Sequence, residues 1–244
     1  MNLVLCPLSV VPVRREPSDR AELVTQWLFG ETAEVLERRI PSQGSGWSLL
    51  RFHHDGYEGW VDNKQIAATQ VATFPKAPRS VAAFAWYDHH LLPFGAVLSK
   101  VQFTSAQDRT SDRLTGPPIE RILAVMDQWM DAPYLWGGRT PMGVDCSGLT
   151  QALFMIAGTS LPRDAYQQAE VGTHVDLIDL AQEGDLAFFD NAEGRIVHVG
   201  IVLSGKRILH ASGRVRIDTI DQQGIFNAEE KRYTHTLRSL KRVL

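Results

Sequence analysis

Cysteine is scarce in this chain: two in 244 residues, Cys6 and Cys146. That number supports neither a disulfide framework nor a paired-ligand zinc motif, and it suits a reducing compartment in which a thiol stays available for chemistry. Long apolar runs are also missing, since nothing approaches the roughly 20 residues of a membrane-spanning helix. An excess of positive charge is missing too. Lys and Arg total 25 against 28 Asp and Glu, for a formal charge of −3, so nucleic acid is excluded as the main partner. The start has no basic segment, and Pro7 and Pro12 interrupt its apolar stretch. It reads as mature protein rather than a secretion signal, and a cytoplasmic location is expected. Internal repeats and low-complexity tracts are absent. What remains is the composition of an ordinary globular protein, long enough for one large domain or two smaller ones.

The texture changes twice along the chain. Over residues 1–68, short alternating stretches (Val10–Arg14, Ala33–Glu37, Trp47–Phe52 and Gly59–Val61) are punctuated by Gly30, Gly44, Gly46 and Gly56. This pattern predicts a small β-barrel. Residues 69–115 give weaker signals, with candidate strands at 80–87 and 96–101 and a polar linker from Thr104. They are read as a second, reduced barrel segment. From Pro117 the pattern becomes helical. Thr115 is the expected cap, Pro117 and Pro118 suit a first turn, and Ile119, Ile122, Leu123, Met126 and Met130 recur at helical spacing. A second helix opens at Cys146, with Leu149, Leu153 and Ile156 on one face, and ends at Gly158. Beyond Glu183 come strands at 185–189, 196–203, 207–211, 215–219 and 233–240. Helices followed by an antiparallel sheet make residues 116–244 an α+β domain.

Cys146, His198 and His210 are the raw material of a nucleophile, a base and an orienting group. Cys146 in Gly143-Val144-Asp145-Cys146-Ser147-Gly148 falls on the first turn of a helix, where free N–H groups and the helix dipole favour a thiolate and can hold an oxyanion. His198 has apolar neighbours, so alternation sends its ring to the face opposite Val197 and Val199. His210 follows 12 residues later, the spacing of neighbouring hairpin strands. His198 is then the base and His210 its orienter. A buried structural thiol and structural imidazoles explain the same residues, and chemistry alone leaves both readings open. Zinc would need another closely spaced ligand. Asp145 and Asp185 are available without a paired motif, and the adjacent pairs His53-His54 and His89-His90 point to opposite faces, so no metal and no cofactor is expected.

Six motifs in order decide between the two readings. They are Ala132-Pro133-Tyr134-Leu135-Trp136-Gly137-Gly138, Val144-Asp145-Cys146-Ser147-Gly148-Leu149, Leu161-Pro162-Arg163-Asp164, Glu183-Gly184-Asp185-Leu186-Ala187-Phe188-Phe189, His198-Val199-Gly200-Ile201 and His210-Ala211-Ser212-Gly213. Together they closely resemble the NlpC family of papain-like bacterial cell-wall cysteine peptidases over residues 117–244. The N-terminal segment resembles a bacterial SH3-like domain through Val11-Pro12-Val13-Arg14, Leu28-Phe29-Gly30-Glu31 and Gly56-Tyr57-Glu58-Gly59-Trp60-Val61.

The resemblance implies hydrolysis of the bond between γ-D-glutamate and a diamino acid, lysine or diaminopimelate, in murein tripeptides or tetrapeptides. It implies Cys146 as nucleophile, His198 as base, His210 as orienter and Tyr134 as an aid to the oxyanion. It places Asp145, Ser147 and Arg163 at substrate-contacting positions, with Arg163 forking the glutamate α-carboxylate and Asp145 meeting a free amine. In such relatives the SH3-like domain supplies an acid and a tyrosine for the L-alanine amine, positions filled here by Glu31 and Tyr57. Ala165 departs from relatives that carry serine there, which removes one hydrogen bond. The expected role is recycling of wall peptides. An amidase or acyltransferase on the same centre, or a wall-peptide-binding module with a vestigial centre, are the alternatives.

Overall fold

A computed structural model of the protein describes residues 3–42, 46–68, 78–87, 90–98 and 111–244. The chain forms two compact units. One holds Met1–Thr115 together with Trp136–Pro141, and the other holds Gly116–Leu135 with Met142–Leu244. The sequence reading divides the chain into contiguous blocks, whereas here the six residues that follow Leu135 belong to the N-terminal unit.

In the N-terminal unit, strands β1 (Leu3–Leu5), β2 (Val10–Arg14), β3 (Leu23–Leu28), β4 (Thr32–Arg39), β5 (Trp47–Phe52), β6 (Glu58–Asp62) and β7 (Ala67–Ala68) form one antiparallel sheet in the order β3-β2-β6-β5-β4-β1-β7. Alternation drives it: in β2 and β5 every second residue is buried, and Val11, Val13, Trp27, Leu50, Phe52 and Val61 fill the core. Cys6 belongs to that core. Its thiol is fully buried and donates to the carbonyls of Leu8 and Trp27 at 3.2 and 3.3 Å. Burial pushes its ionisation far above the ordinary thiol range, so Cys6 is structural.

Residues 78–98 supply the hairpin β8 (Phe84–Tyr87) with β9 (His90–Pro93). Residues 96–98 form no strand, only a bridge from Val97 to Arg79. Among the described residues, this hairpin and that bridge are the strand pairings the segment shows. Residues 99–101 and most of the expected linker lie outside the described residues. Leu28, Phe29, Gly30 and Glu31 form the turn between β3 and β4. Gly137 packs on Leu23 with φ +77°, and a Cβ there would meet the Leu23 carbonyl oxygen at 2.5 Å. Only glycine fits that backbone approach.

The C-terminal unit begins with α1 (Pro118–Met126), which buries Ile122 and Val125. Its N-cap is Pro117 and not Thr115, and no side chain caps it. The proline ring alone presets the first turn. The two-residue strand β11 (Gly143–Val144) precedes α2 (Cys146–Ala157) in this unit, while the two-residue strand β10 (Arg139–Thr140) lies in the N-terminal unit. All of α2 except Met155 is buried, so it is a core helix and not the one-faced helix expected from Leu149, Leu153 and Ile156. Gly158 ends it in the left-handed region at φ +95°. The short α3 (Ala165–Gln168) follows, held by a capping box of Asp164 and Gln167.

Strands β12 (Thr173–Val175), β13 (Leu186–Asp190), β14 (Ile196–Leu203), β15 (Arg207–Ser212), β16 (Arg214–Ile220), β17 (Gly224–Asn227) and β18 (Arg232–Arg242) complete the unit. They run β12-β18-β13-β14-β15-β16-β17, and β17 pairs back to β18, so six of them close into a barrel. Five were legible in the sequence; β12 and β17 are additions. Helix α2 packs on β14 and β15, and α3 packs on β14. That packing sets a helix start against the histidine-bearing strands. No described helix is long and apolar enough to cross a membrane.

Candidate active site

Cys146 is the first residue of α2, and Asp145 is its N-cap. The Asp145 carboxylate accepts from the Gly148 N–H at 2.7 Å. An Asp at this position satisfies an otherwise orphaned amide of the first turn. The backbone N–H groups of Ser147 and Val199 point at the thiol sulfur and, with Arg163, favour its thiolate. Burial opposes them, and so does the Asp145 carboxylate, so that the thiol is pushed up to about 12. The sequence reading expected the helix start to lower it. Desolvation and the capping carboxylate outweigh the dipole in this state, so Cys146 rests as a neutral thiol.

The imidazoles form a relay. His198 Nε2 and His210 Nδ1 are 2.9 Å apart, and His210 Nε2 lies 3.1 Å from Asp218 Oδ2. Asp218 accepts, so His210 carries its proton on Nε2 and offers a lone pair at Nδ1. His198 then donates from Nε2, which leaves its Nδ1 as the basic atom. Both rings are buried. Burial, then His210 and His235, hold the His198 imidazole well below its ordinary value, so it is neutral and ready to accept. Val199, whose amide meets the thiol, is the neighbour of His198 on β14.

Asp218 was not singled out in the sequence. It lies on β16, fixed by Arg216 Nε at 2.9 Å, and Arg216 is itself held by Glu229 at 3.0 Å. His235 on β18 was also missed. Its ring stacks on that of His198, with centroids 4.2 Å apart and planes 24° apart. His198, His210 and His235 offer nitrogens within 4.8 Å of one another, close enough to hold a metal ion. The stack argues against one. Rings lying nearly parallel face to face cannot both aim an in-plane lone pair at an ion about 2.0–2.1 Å from each.

Tyr134 is held at its backbone by the Gly213 carbonyl at 3.0 Å and by a bridge to Val144. It is 36% exposed. Burial raises its ionisation, and nearby Cys146 and Asp145 add to this, so its hydroxyl remains a donor.

Arg163 is 2% exposed. Its terminal nitrogens reach Asp145 at 3.0 and 2.6 Å and the Ser147 hydroxyl at 2.9 Å. Arg163 thus holds Asp145 and Ser147, so that the three residues expected to contact substrate are bonded to one another. Gln168, also missed, ties α3 to the same turn. It donates to the Ser147 carbonyl at 3.1 Å and accepts from Thr150 at 2.7 Å.

Glu31 is 2% exposed, and its carboxylate accepts from Arg139 at 3.2 and 3.3 Å, Arg79 at 3.0 Å and the Leu28 N–H at 3.1 Å. Burial alone would raise its ionisation, but Arg139, His54 and Arg79 hold it down to about 2. Its charge is met within the chain by two guanidinium groups, those of Arg79 and Arg139. Tyr57 is half-buried and packs on the N-terminal core.

Residues 131–237 match the NlpC/P60 family, and residues 13–66 match the bacterial dipeptidyl-peptidase Sh3 domain. The γ-D-glutamyl-L-lysine dipeptidyl-peptidase of Bacillus subtilis is 45% identical over 217 residues, covering 77% of this chain and 71% of that protein. The protein of the same name from Bacillus cereus is 24% identical over 230 residues, covering 78% and 67%. A solved NlpC/P60 family protein from Bacillus cereus shares the fold with a TM-score of 0.75 at 20% identity, over 99% of each chain. With these relatives, the chain belongs to the NlpC/P60 family, as a hydrolase of the cysteine-peptidase kind that carries a bacterial SH3 domain.

Proposed function

We propose that the protein cleaves the bond between γ-D-glutamate and lysine or diaminopimelate in murein tripeptides or tetrapeptides that begin with a free L-alanine, in the recycling of wall peptides. The observation that carries the chemistry is the Asp218–His210–His198 relay, which leaves one basic nitrogen on a buried neutral imidazole. The substrate assignment is supported by the two Bacillus relatives, which are named for a γ-D-glutamyl-L-lysine bond and for release of a dipeptide.

In this reading Cys146 Sγ attacks the γ-carbonyl carbon while His198 Nδ1 takes the thiol proton. The charge left on His198 is matched through His210 by Asp218. The carbonyl oxygen becomes an oxyanion, met by amides of the first turn of α2 and by the Tyr134 hydroxyl. His198 then gives its proton to the leaving α-amine of the diamino acid, and a thioester of L-Ala-γ-D-Glu remains on Cys146. Water attacks that thioester with His198 again as base, which releases the dipeptide and restores the thiol. Asp145, braced by Arg163, caps the helix that presents the sulfur.

The test is mass spectrometry of products from L-Ala-γ-D-Glu-L-Lys and its diaminopimelate counterpart, each with a free and an acetylated N-terminus. Release of L-Ala-γ-D-Glu from the free peptides alone is the expected result. Cleavage at another bond, or none, overturns the substrate assignment, and equal rates on acetylated peptides overturn the free-amine requirement.

A further inference from the structure

The relay accounts for the edges of the His198 ring but not for its face. One ring edge bonds to His210 at 2.9 Å. The face is covered by His235, which comes from β18, a strand not hydrogen-bonded to β14. The two rings lie 4.2 Å apart, nearly parallel at 24°. Phe189, on the strand between, borders both, at 5.7 Å from His198 and 5.9 Å from His235. His235 is itself anchored by the Thr234 hydroxyl at its Nδ1, at 2.9 Å. Nothing in the chemical steps uses His235 as an acid or base, yet it stacks on the π face of the base.

We propose that His235 is a positioning residue: it fixes the plane of the His198 ring, so that the ring nitrogen not bonded to His210 keeps one direction through turnover. Ring centroids 4.2 Å apart with planes 24° from parallel make a stacked contact of aromatic faces. Phe189 beside both rings and the Thr234 hydroxyl at the Nδ1 of His235 hold the covering ring in place.

The inference rests on the reading of His198 as the base for Cys146. Two readouts separate the two ideas: steady-state hydrolysis of L-Ala-γ-D-Glu-L-Lys, and the pH dependence of Cys146 alkylation by iodoacetamide, which needs no substrate. The variants are His235→Ala, His235→Leu and His235→Phe in the full chain, with circular dichroism as the check on folding. Loss of the ring in the Ala or Leu variant is expected to lower kcat by about 10- to 100-fold, the usual effect of removing a supporting contact. KM should stay within about threefold, and the pH profile of alkylation should shift. The Phe variant, which keeps a neutral ring, is expected to stay close to the parent in both readouts. A folded Ala or Leu variant with the parent's kcat and alkylation profile overturns the proposal. A Phe variant as impaired as these also overturns it, because the ring face would then be irrelevant. A parent protein that leaves the peptide intact, while loss of the ring still shifts alkylation, overturns the substrate assignment and supports the stack.

Discussion

Replacing Arg163 by methionine separates a brace for Asp145 from a binder of substrate carboxylate. The guanidinium makes three charge-assisted or polar contacts, at 3.0 and 2.6 Å to Asp145 and at 2.9 Å to Ser147, and both partners are buried. Its removal takes from the Asp145 carboxylate the guanidinium that meets both of its oxygens, while the Gly148 amide and the Ser147 hydroxyl stay. Losing one partner of a buried pair costs about 3–5 kcal/mol. At roughly 2–4 °C per kcal/mol for a chain of this size, Tm should fall by about 6–20 °C. The double variant Asp145→Asn with Arg163→Met buries no charge and keeps a capping oxygen, so it should regain about 1–3 kcal/mol relative to the sum of the single changes. Arg163 also favours the Cys146 thiolate, so kcat should drop with KM little changed. Thermal unfolding and steady-state kinetics read both effects. An Arg163→Met protein as stable as the parent, whose KM rises about tenfold or more only for substrates with a free glutamate α-carboxylate, refutes the brace and restores the fork.

Two further outcomes follow from the buried charges. Glu31 is held down to about 2 in the folded chain against an ordinary value of 4.5. Between those values the unfolded chain binds more protons, so stability rises with pH there. The Glu31 contribution, roughly 3 kcal/mol, is full above about pH 5 and is lost as pH falls toward 2. Tryptophan fluorescence during acid titration should show this loss, Glu31→Gln should remove that part of the pH dependence, and an unchanged titration in the variant contradicts the network. Asp218→Asn turns an amide N–H toward His210 Nε2, which reverses the tautomers along the relay and places a proton on the His198 nitrogen that must accept one. A fall in kcat of about 100-fold with KM unchanged is expected, and full activity in the variant would show that the relay does not set the tautomer.

What was legible in the sequence was local. Cys146 follows an N-cap aspartate, with Gly148 two residues on, and His198 and His210 sit on strands whose alternation is plain. Helix propensity and strand period act over a few residues, so these positions were readable. Asp218 was within reach. A tight turn at Gly213 pairs His210 with Arg216, and two residues further along the same face is Asp218. His235 was not, because it meets His198 across Phe189 only once β18 pairs with β13, a contact between distant parts of the chain. Arg163 and Glu31 show a different limit. The sequence displays their charges but not which counter-charge reaches them first, and in each case a residue of the same chain does. Helix α2 was read with one apolar face, of Leu149, Leu153 and Ile156, and its polar residues Ser147, Thr150 and Gln151 lie off that face. They are buried and bonded to Arg163, Gln168 and the Leu161 carbonyl.

The central claim is that the Cys146 sulfur, with His198 as its base, carries the acyl group of the substrate. The most direct measurement is rapid-quench mass spectrometry of the intact protein and its peptic fragments during turnover of L-Ala-γ-D-Glu-L-Lys. The account predicts a transient L-Ala-γ-D-Glu thioester on the fragment containing Cys146, absent from the Cys146→Ala variant, which folds but does not turn over. Hydrolysis by that variant, or an acyl group on any other residue, would contradict it.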